Sequence, residues 1–183
     1  AGLEWAAGIP GTLGGALRGN AGAFKSAMAD SVQRVDVLDT KNGKMKIFKN
    51  KDCRFAYRDS IFKKNKNLVI VSSTLKLKRG DRREIENKIK EFLKYRQDRQ
   101  ALNFACAGSV FLNPKGRFAG ELIEECGLKG KKIGRAQISK IHANFIVNLG
   151  GARAKDVRKL INLTKGRVKR KFGIALKEEI SYL

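Results

Sequence analysis

The chain has 183 residues, 42% of them hydrophobic, and its 40 Lys+Arg against 17 Asp+Glu leave a formal net charge of +23. That length supports one or two domains with a real core, and the apolar fraction argues against disorder. With 2 Pro and 19 non-periodic Gly, proline-rich linkers and collagen-like repeats are excluded, and no apolar run reaches the roughly 18 residues of a transmembrane helix.

Taken in chain order, residues 1–30 are rich in Gly and Ala. They read either as a tight turn into a small-residue helix or as a ligand loop, and the glycines alone do not decide. The segment is neither a dinucleotide G-x-G-x-x-G nor a Walker A. Residues 34–48 predict a hairpin, because Val35 and Val37 alternate with polar neighbours, Asn42-Gly43 is a turn signal, and Met45 and Ile47 alternate on the return. Residues 53–60 show no clear period. Residues 67–77 predict a strand whose Leu68-Val69-Ile70-Val71 run reads as buried.

Asp81 and Glu84 resemble a capping box for a helix over 82–97, with Ile85, Ile89, Phe92 and Leu93 as its apolar stripe. The shift in composition places a domain boundary near residue 80. A helix is expected over 119–126, ending at Gly127, then strands near 133–138 and 143–149. A longer helix over 153–172, with Val157, Leu160, Ile161, Thr164 and Val168 inward, stops at Gly173, and a last strand lies near 174–182.

The charge first suggests an anionic partner: nucleic acid, an acidic membrane or a phosphate-rich ligand. No nucleic-acid-binding signature accompanies it, and the cations are spread along the chain. Cys53, Cys106 and Cys126 are widely spaced, with no C-x-x-C, and His142 is the single histidine. No metal centre is expected, and a reducing, cytoplasmic compartment fits best. No secretory signal opens the chain, and a start at Ala1 fits either removal of Met or an internal fragment. Serine-hydrolase and paired-carboxylate patterns are absent.

Several segments, in order, resemble the UDP-N-acetylenolpyruvoylglucosamine reductase (MurB-type) family. They are Gly2-Leu3-Glu4-Trp5 with residues 7–16, Asn20-Ala21-Gly22-Ala23, Phe55-Ala56-Tyr57-Arg58-Asp59-Ser60-Ile61-Phe62 and Ala107-Gly108-Ser109-Val110-Phe111-Leu112-Asn113-Pro114. Residues 119–124 with Gly127-Leu128-Lys129-Gly130, and His142-Ala143-Asn144-Phe145-Ile146-Val147-Asn148, complete the set. The resemblance implies an α+β chain. Residues 1–79 would be the C-terminal part of an FAD-binding domain of the PCMH/vanillyl-alcohol-oxidase-like kind, and 80–183 the substrate-binding C-terminal domain. The family's N-terminal flavin subdomain would lie outside these residues.

The resemblance also implies roles. Gly8, Ile9, Pro10, Gly11, Thr12, Gly14, Gly15, Asn20 and Gly22 would bind FAD, small residues letting the backbone reach its pyrophosphate. Arg58, beside Tyr57, would hold the enolpyruvyl carboxylate, a task for a planar, always-charged fork. Ser109 would protonate C2 after the flavin, reduced by NADPH, has delivered reducing equivalents to C3. Glu179 matches the family's C-terminal acid and would stabilise the enolate in its protonated form. Asn113, Tyr57, Lys129 and His142 would contact the UDP-sugar, with Lys140 in a matching motif. Departures are Leu112 for a usual Lys, Lys177 for a usual Glu, and Ala105-Cys106 for a usual Pro-Ser. The short stretch from Ser60 to Leu68 fits the subclass without an extra substrate loop. The activity implied is peptidoglycan-precursor synthesis, hence a part in cell shape and division, by a cytoplasmic monomer with no membrane partner. A repurposed basic relative that binds RNA in a ribonucleoprotein is the alternative, and only there is nucleic acid a partner.

Overall fold

Two apolar clusters, one in each half of the chain, organise a computed structural model that describes residues 1–101 and 103–182. The chain divides accordingly into Ala1–Arg96 and Gln97–Leu183. The boundary expected near residue 80 lies at the start of a long helix, whereas the units part near its end. The guanidinium of Arg96 near that end donates to the carbonyls of Trp5 and Ala7, so the helix is counted with the first unit.

The first unit begins with a single helical turn at Glu4–Ala6 that buries Trp5. Helix α1 (Leu13–Arg18) follows, capped by Thr12 Oγ1, which accepts the Gly15 N–H at 3.1 Å. Strands β1 (Gly22–Ala23) and β2 (Ser26–Ala27) form a short ribbon. Strands β3 (Val32–Asp39) and β4 (Lys44–Lys49) make the expected hairpin. After α2 (Ile61–Lys64), strand β5 (Leu68–Leu75) pairs with the other side of β3, giving an antiparallel sheet of order β4-β3-β5. Val35 and Val37, two apart on β3, are fully buried, as a period of two requires.

The Leu68–Val71 run is not a buried strand. Only Leu68 is buried; Val69 and Val71 are 46% and 59% exposed, because they stand on the outer face of the sheet. That face also carries Met45 and Ile47. Helix α3 (Arg82–Arg99) starts with Asp81 Oδ1 accepting the Glu84 N–H at 3.0 Å. Its inner line is Ile85, Ile89 and Phe92, half-buried, and the line runs on to buried Arg96, while the expected core residue Leu93 is exposed.

The second unit has strands β6 (Ala105–Ser109), β7 (Lys132–Ile133), β8 (Ala136–Ile138) and β9 (Phe145–Asn148) in the antiparallel order β6-β9-β8-β7. Helices α4 (Ala119–Glu125) and α5 (Ala154–Phe172) complete a core that includes Leu122, Ile123, Ile138, Leu160, Ile161 and Val168. Thr164 joins the α5 stripe because its hydroxyl donates to the Leu160 carbonyl at 2.8 Å. Gly173 stops α5 in the left-handed region, φ 71°.

The strand expected near 174–182 does not form. The segment makes a single antiparallel bridge, Phe111 opposite Glu178, flanked by Leu112 N–H to Lys177 O and Glu179 N–H to Val110 O. In one direction the next donor of such a ladder would be Pro114, which has no N–H. In the other lies Gly108, whose φ of 76° breaks the extended backbone.

Candidate functional site

In the first unit the Gly-rich segment lines a cavity of about 360 Å³. Ile9, Pro10, Gly11, Thr12 and Gly15 are among its walls, together with Trp5, Leu13 and Met28. Gly11 has φ 132°, and no atom lies within 4 Å of where a Cβ would stand, so the space beside its Cα is open. Of the other expected cofactor residues, Gly8, Gly14, Asn20 and Gly22 do not line the cavity. Asn20 is buried and bridges segments: its Nδ2 donates to Ala56 O and its Oδ1 accepts from Ala29 N, both at 3.0 Å.

Arg58 sits in the turn closed by the Ala56–Asp59 bridge, with φ 53°. Its Nη2 donates to the Gly22 carbonyl at 2.9 Å, and its Cζ lies 5.4 Å from the centre of the exposed Tyr57 ring. The folded unit therefore joins the Tyr57-Arg58 pair to the Gly-rich segment through the main chain of Gly22. Lys63 Nζ in turn donates to the Arg58 carbonyl at 2.9 Å.

In the second unit Ser109 ends β6 opposite Phe145, just after a bulge that follows Cys106. A bulge re-aims side chains at a strand end. The next residue, Val110, is fixed from both sides. Its N–H donates to Asn144 O at 2.8 Å, and its carbonyl accepts the Glu179 N–H at 2.8 Å. Ser109 and Glu179, 70 positions apart, are thus brought onto adjacent main chain. Both are half-buried.

The proposed UDP-contacting residues are engaged within the fold. Asn113 Oδ1 accepts the Ala119 N–H at the start of α4, 3.0 Å away. Lys129 Nζ pairs with Glu124 at 2.7 Å. His142 Nδ1 accepts the Asn144 N–H at 3.2 Å, and its ring lies 4.7 Å from that of Phe145. Burial holds the His142 pKa below its ordinary value, with a smaller push from the Lys129 charge. Lys140 lies along Gly130. Among the described residues no group of three or more His, Cys, Asp or Glu could hold a metal ion. No helix among them is long and apolar enough to cross a membrane.

Two features were missed in the sequence. The first is Asn144, whose side chain pairs with both backbone groups of Phe111. The second is Arg96, beneath the cavity-lining segment. The signal for Arg96 is its position: it follows Ile85, Ile89 and Phe92 at helical spacing, a cation in a core slot.

Residues 100–183 match the model of the UDP-N-acetylenolpyruvoylglucosamine reductase C-terminal domain. The whole chain aligns with the UDP-N-acetylenolpyruvoylglucosamine reductase of Caldicellulosiruptor bescii at 47% identity, covering 58% of it. Reductase 1 of that name from Bacillus cereus is 42% identical over 183 residues, again the whole chain, and is covered to 60%. The solved UDP-N-acetylenolpyruvylglucosamine reductase of Thermus caldophilus superposes with a TM-score of 0.86 at 38% identity, over 99% of this chain and 64% of that one. The chain spans about three-fifths of the length of the curated relatives it matches.

Proposed function

The chain belongs to the UDP-N-acetylenolpyruvoylglucosamine reductase family, and from that premise we propose that it takes part in the NADPH-dependent, flavin-dependent reduction of UDP-N-acetylglucosamine enolpyruvate to UDP-N-acetylmuramate. The observation that carries this reading is the hydrogen bond from Glu179 N–H to Val110 O, 2.8 Å. It joins the main chain of Glu179 to the residue that follows Ser109, and it supports a reading in which a hydroxyl and an acid serve one reaction.

The first-unit cavity fits a flavin. Its volume falls in the range of ligand pockets, about 300–1,000 Å³. Trp5, Ile9, Leu13 and Met28 offer an apolar wall for a flat ring, and the open space beside Gly11 lets an anionic group approach the main chain. When bound, the flavin supplies reducing equivalents, taken from NADPH, to C3 of the enolpyruvyl group. Ile9, Pro10, Gly11, Thr12 and Gly15 would hold it. The roles of Gly8, Gly14, Asn20 and Gly22 in this reading are to shape that segment.

In the same reading Arg58 binds the substrate carboxylate through its fork of donors, with Tyr57 beside it. Ser109 holds the proton that goes to C2. A hydroxyl is a weak acid, so transfer depends on lowering the energy of the enolate that accepts the proton. Arg58 does this by charge, and Glu179 by the hydrogen bonding of its carboxyl group. Asn113, Lys129 and His142 would contact the UDP-sugar and orient it. The activity would belong to the cytoplasmic steps of peptidoglycan-precursor synthesis.

The test uses Ser109→Ala. Substrate reduction should be nearly abolished, while NADPH still bleaches the flavin's visible absorbance. Equal loss of both half-reactions would remove Ser109 from the proton-donor role. A protein that takes up no flavin would remove the whole reading.

A further inference from the structure

Arg96 is a buried cation, 8% exposed, on the inner line of α3. Its Nε donates to Ala7 O and its Nη2 to Trp5 O, both at 3.0 Å. These two carbonyls flank Ala6, which lines the cavity between Trp5 and Ile9 in sequence. The guanidinium also lies 5.4 Å from the ring centre of Phe24. Phe24 has φ 51° and stacks on Phe92 with centroids 4.2 Å apart. Tyr95 meets it edge-on at 5.2 Å. Gly8 is pressed against the same helix: a Cβ there would stand 2.8 Å from Leu93 Cδ2 and 3.3 Å from Arg96 Cδ.

This arrangement is more than a helix contact. A fork of N–H donors can take two carbonyls at once, whereas an ammonium is a point charge. Burying a guanidinium costs free energy unless its donors are satisfied, and here no carboxylate faces it among the described residues. Desolvation accordingly lowers the Arg96 pKa. The cation is held by main-chain dipoles of one short segment, and that segment is the cavity wall.

We propose that Arg96 is a positioning residue for the flavin-binding segment. Its two hydrogen bonds fix residues 5–9 in the conformation that forms the cavity wall, and its unneutralised charge behind that wall favours an anionic group within. The proposal rests on the flavin reading above for its ligand, but not for its geometry.

The experiment compares the full chain with Arg96→Met, which keeps the apolar stem, and Arg96→Lys, which keeps the charge but loses the planar fork. Hydrogen exchange reports the amides of Ala7 and Ile9, which bond to Glu4 O and Ala6 O. Arg96→Met should speed their exchange about tenfold or more, with the β3–β5 amides unchanged and Arg96→Lys intermediate. With FAD as the probe, the dissociation constant should rise about tenfold in Arg96→Met. The potential of the bound flavin should become more negative, since a positive charge that stabilises the reduced anion is gone. Unchanged exchange at Ala7 and Ile9 would overturn the proposal. So would uniform loss of protection across the unit in both variants, which would make Arg96 a general core residue. A wild-type chain that binds no FAD would instead overturn the flavin reading, while the exchange of Ala7 and Ile9 still decides the positioning role.

Discussion

The side chain of Asn144 pairs with Phe111 as a neighbouring strand would: its Oδ1 accepts the Phe111 N–H at 3.0 Å and its Nδ2 donates to the Phe111 carbonyl at 2.8 Å. Both residues are buried, so neither backbone group of Phe111 has water as a substitute. The pair fixes the segment that follows Ser109.

Asn144→Ala should therefore leave a buried donor and a buried acceptor unpaired. At about 1–3 kcal/mol for each group, the loss of stability should be on the order of 2–6 kcal/mol, read as a lower urea midpoint. Turnover under native conditions should fall with it, because Val110 would lose its fixed neighbour. A stability within about 0.5 kcal/mol of wild type would show that the pairing is dispensable.

His142 supplies the pH dependence. Its folded pKa is depressed, chiefly by burial, and its Nδ1 must be unprotonated to accept from Asn144. The unfolded chain thus binds a proton that the folded chain does not, starting near the ordinary histidine value of about 6.5. Stability should be level above that pH and fall as pH drops through it, toward the lower folded pKa. Since the chain has one histidine, its single imidazole resonance should titrate below 6.5. His142→Gln should flatten this part of the profile, and a midpoint at or above 6.5 would contradict the assignment.

Gly22→Ala tests the link between Arg58 and the Gly-rich segment. The new Cβ would stand 2.6 Å from Ser26 O, a main-chain atom, so the ribbon must shift. A cost of about 1–3 kcal/mol follows from such overpacking. Because Gly22 O is the acceptor for Arg58, the function proposed above requires KM for the enolpyruvyl substrate to rise as well. Loss of stability with unchanged KM would uncouple the two.

Arg58→Lys keeps the charge but loses the fork. A charge-assisted hydrogen bond is worth about 1.5–3 kcal/mol, so KM should rise roughly ten- to a hundredfold. Reduction of the flavin by NADPH should be unaffected. Steady-state kinetics beside single-turnover flavin reduction separates the two effects.

Ser73 offers a prediction of opposite sign. Its Oγ is buried and has no hydrogen-bond partner among the described residues. Ser73→Ala removes an unsatisfied group and should raise stability by about 1 kcal/mol, measured by thermal unfolding. A loss of similar size would mean that the hydroxyl has a partner.

Much of the fold was legible because its elements repeat at their own period. Val35 with Val37, and Leu160, Ile161, Thr164 and Val168, declare a strand and a helix by spacing alone. What failed was sidedness and termination. Val69 and Val71 carry strand chemistry, yet nothing in their identity says which sheet face is covered. The last segment read as a strand until Pro114 and Gly108, far away in sequence, limited its ladder to one bridge. Of the proposed functional residues, Arg58 in the first unit and Ser109 and Glu179 in the second stand out only through ordered motifs. Asn144 was hidden in one of those motifs because its task, imitating a strand, leaves no period to read. Arg96 was readable as a cation in a core slot.

The main chain at Ser109 is held by the pairing of β6 with β9 and by the hydrogen bonds of Val110, while the carboxamide of Asn144 holds Phe111, two residues on. The place of residue 109 is thus set by main-chain bonds to which its own side chain contributes nothing, so a substitution there can be read for chemistry separately from the pairing that holds the strand end.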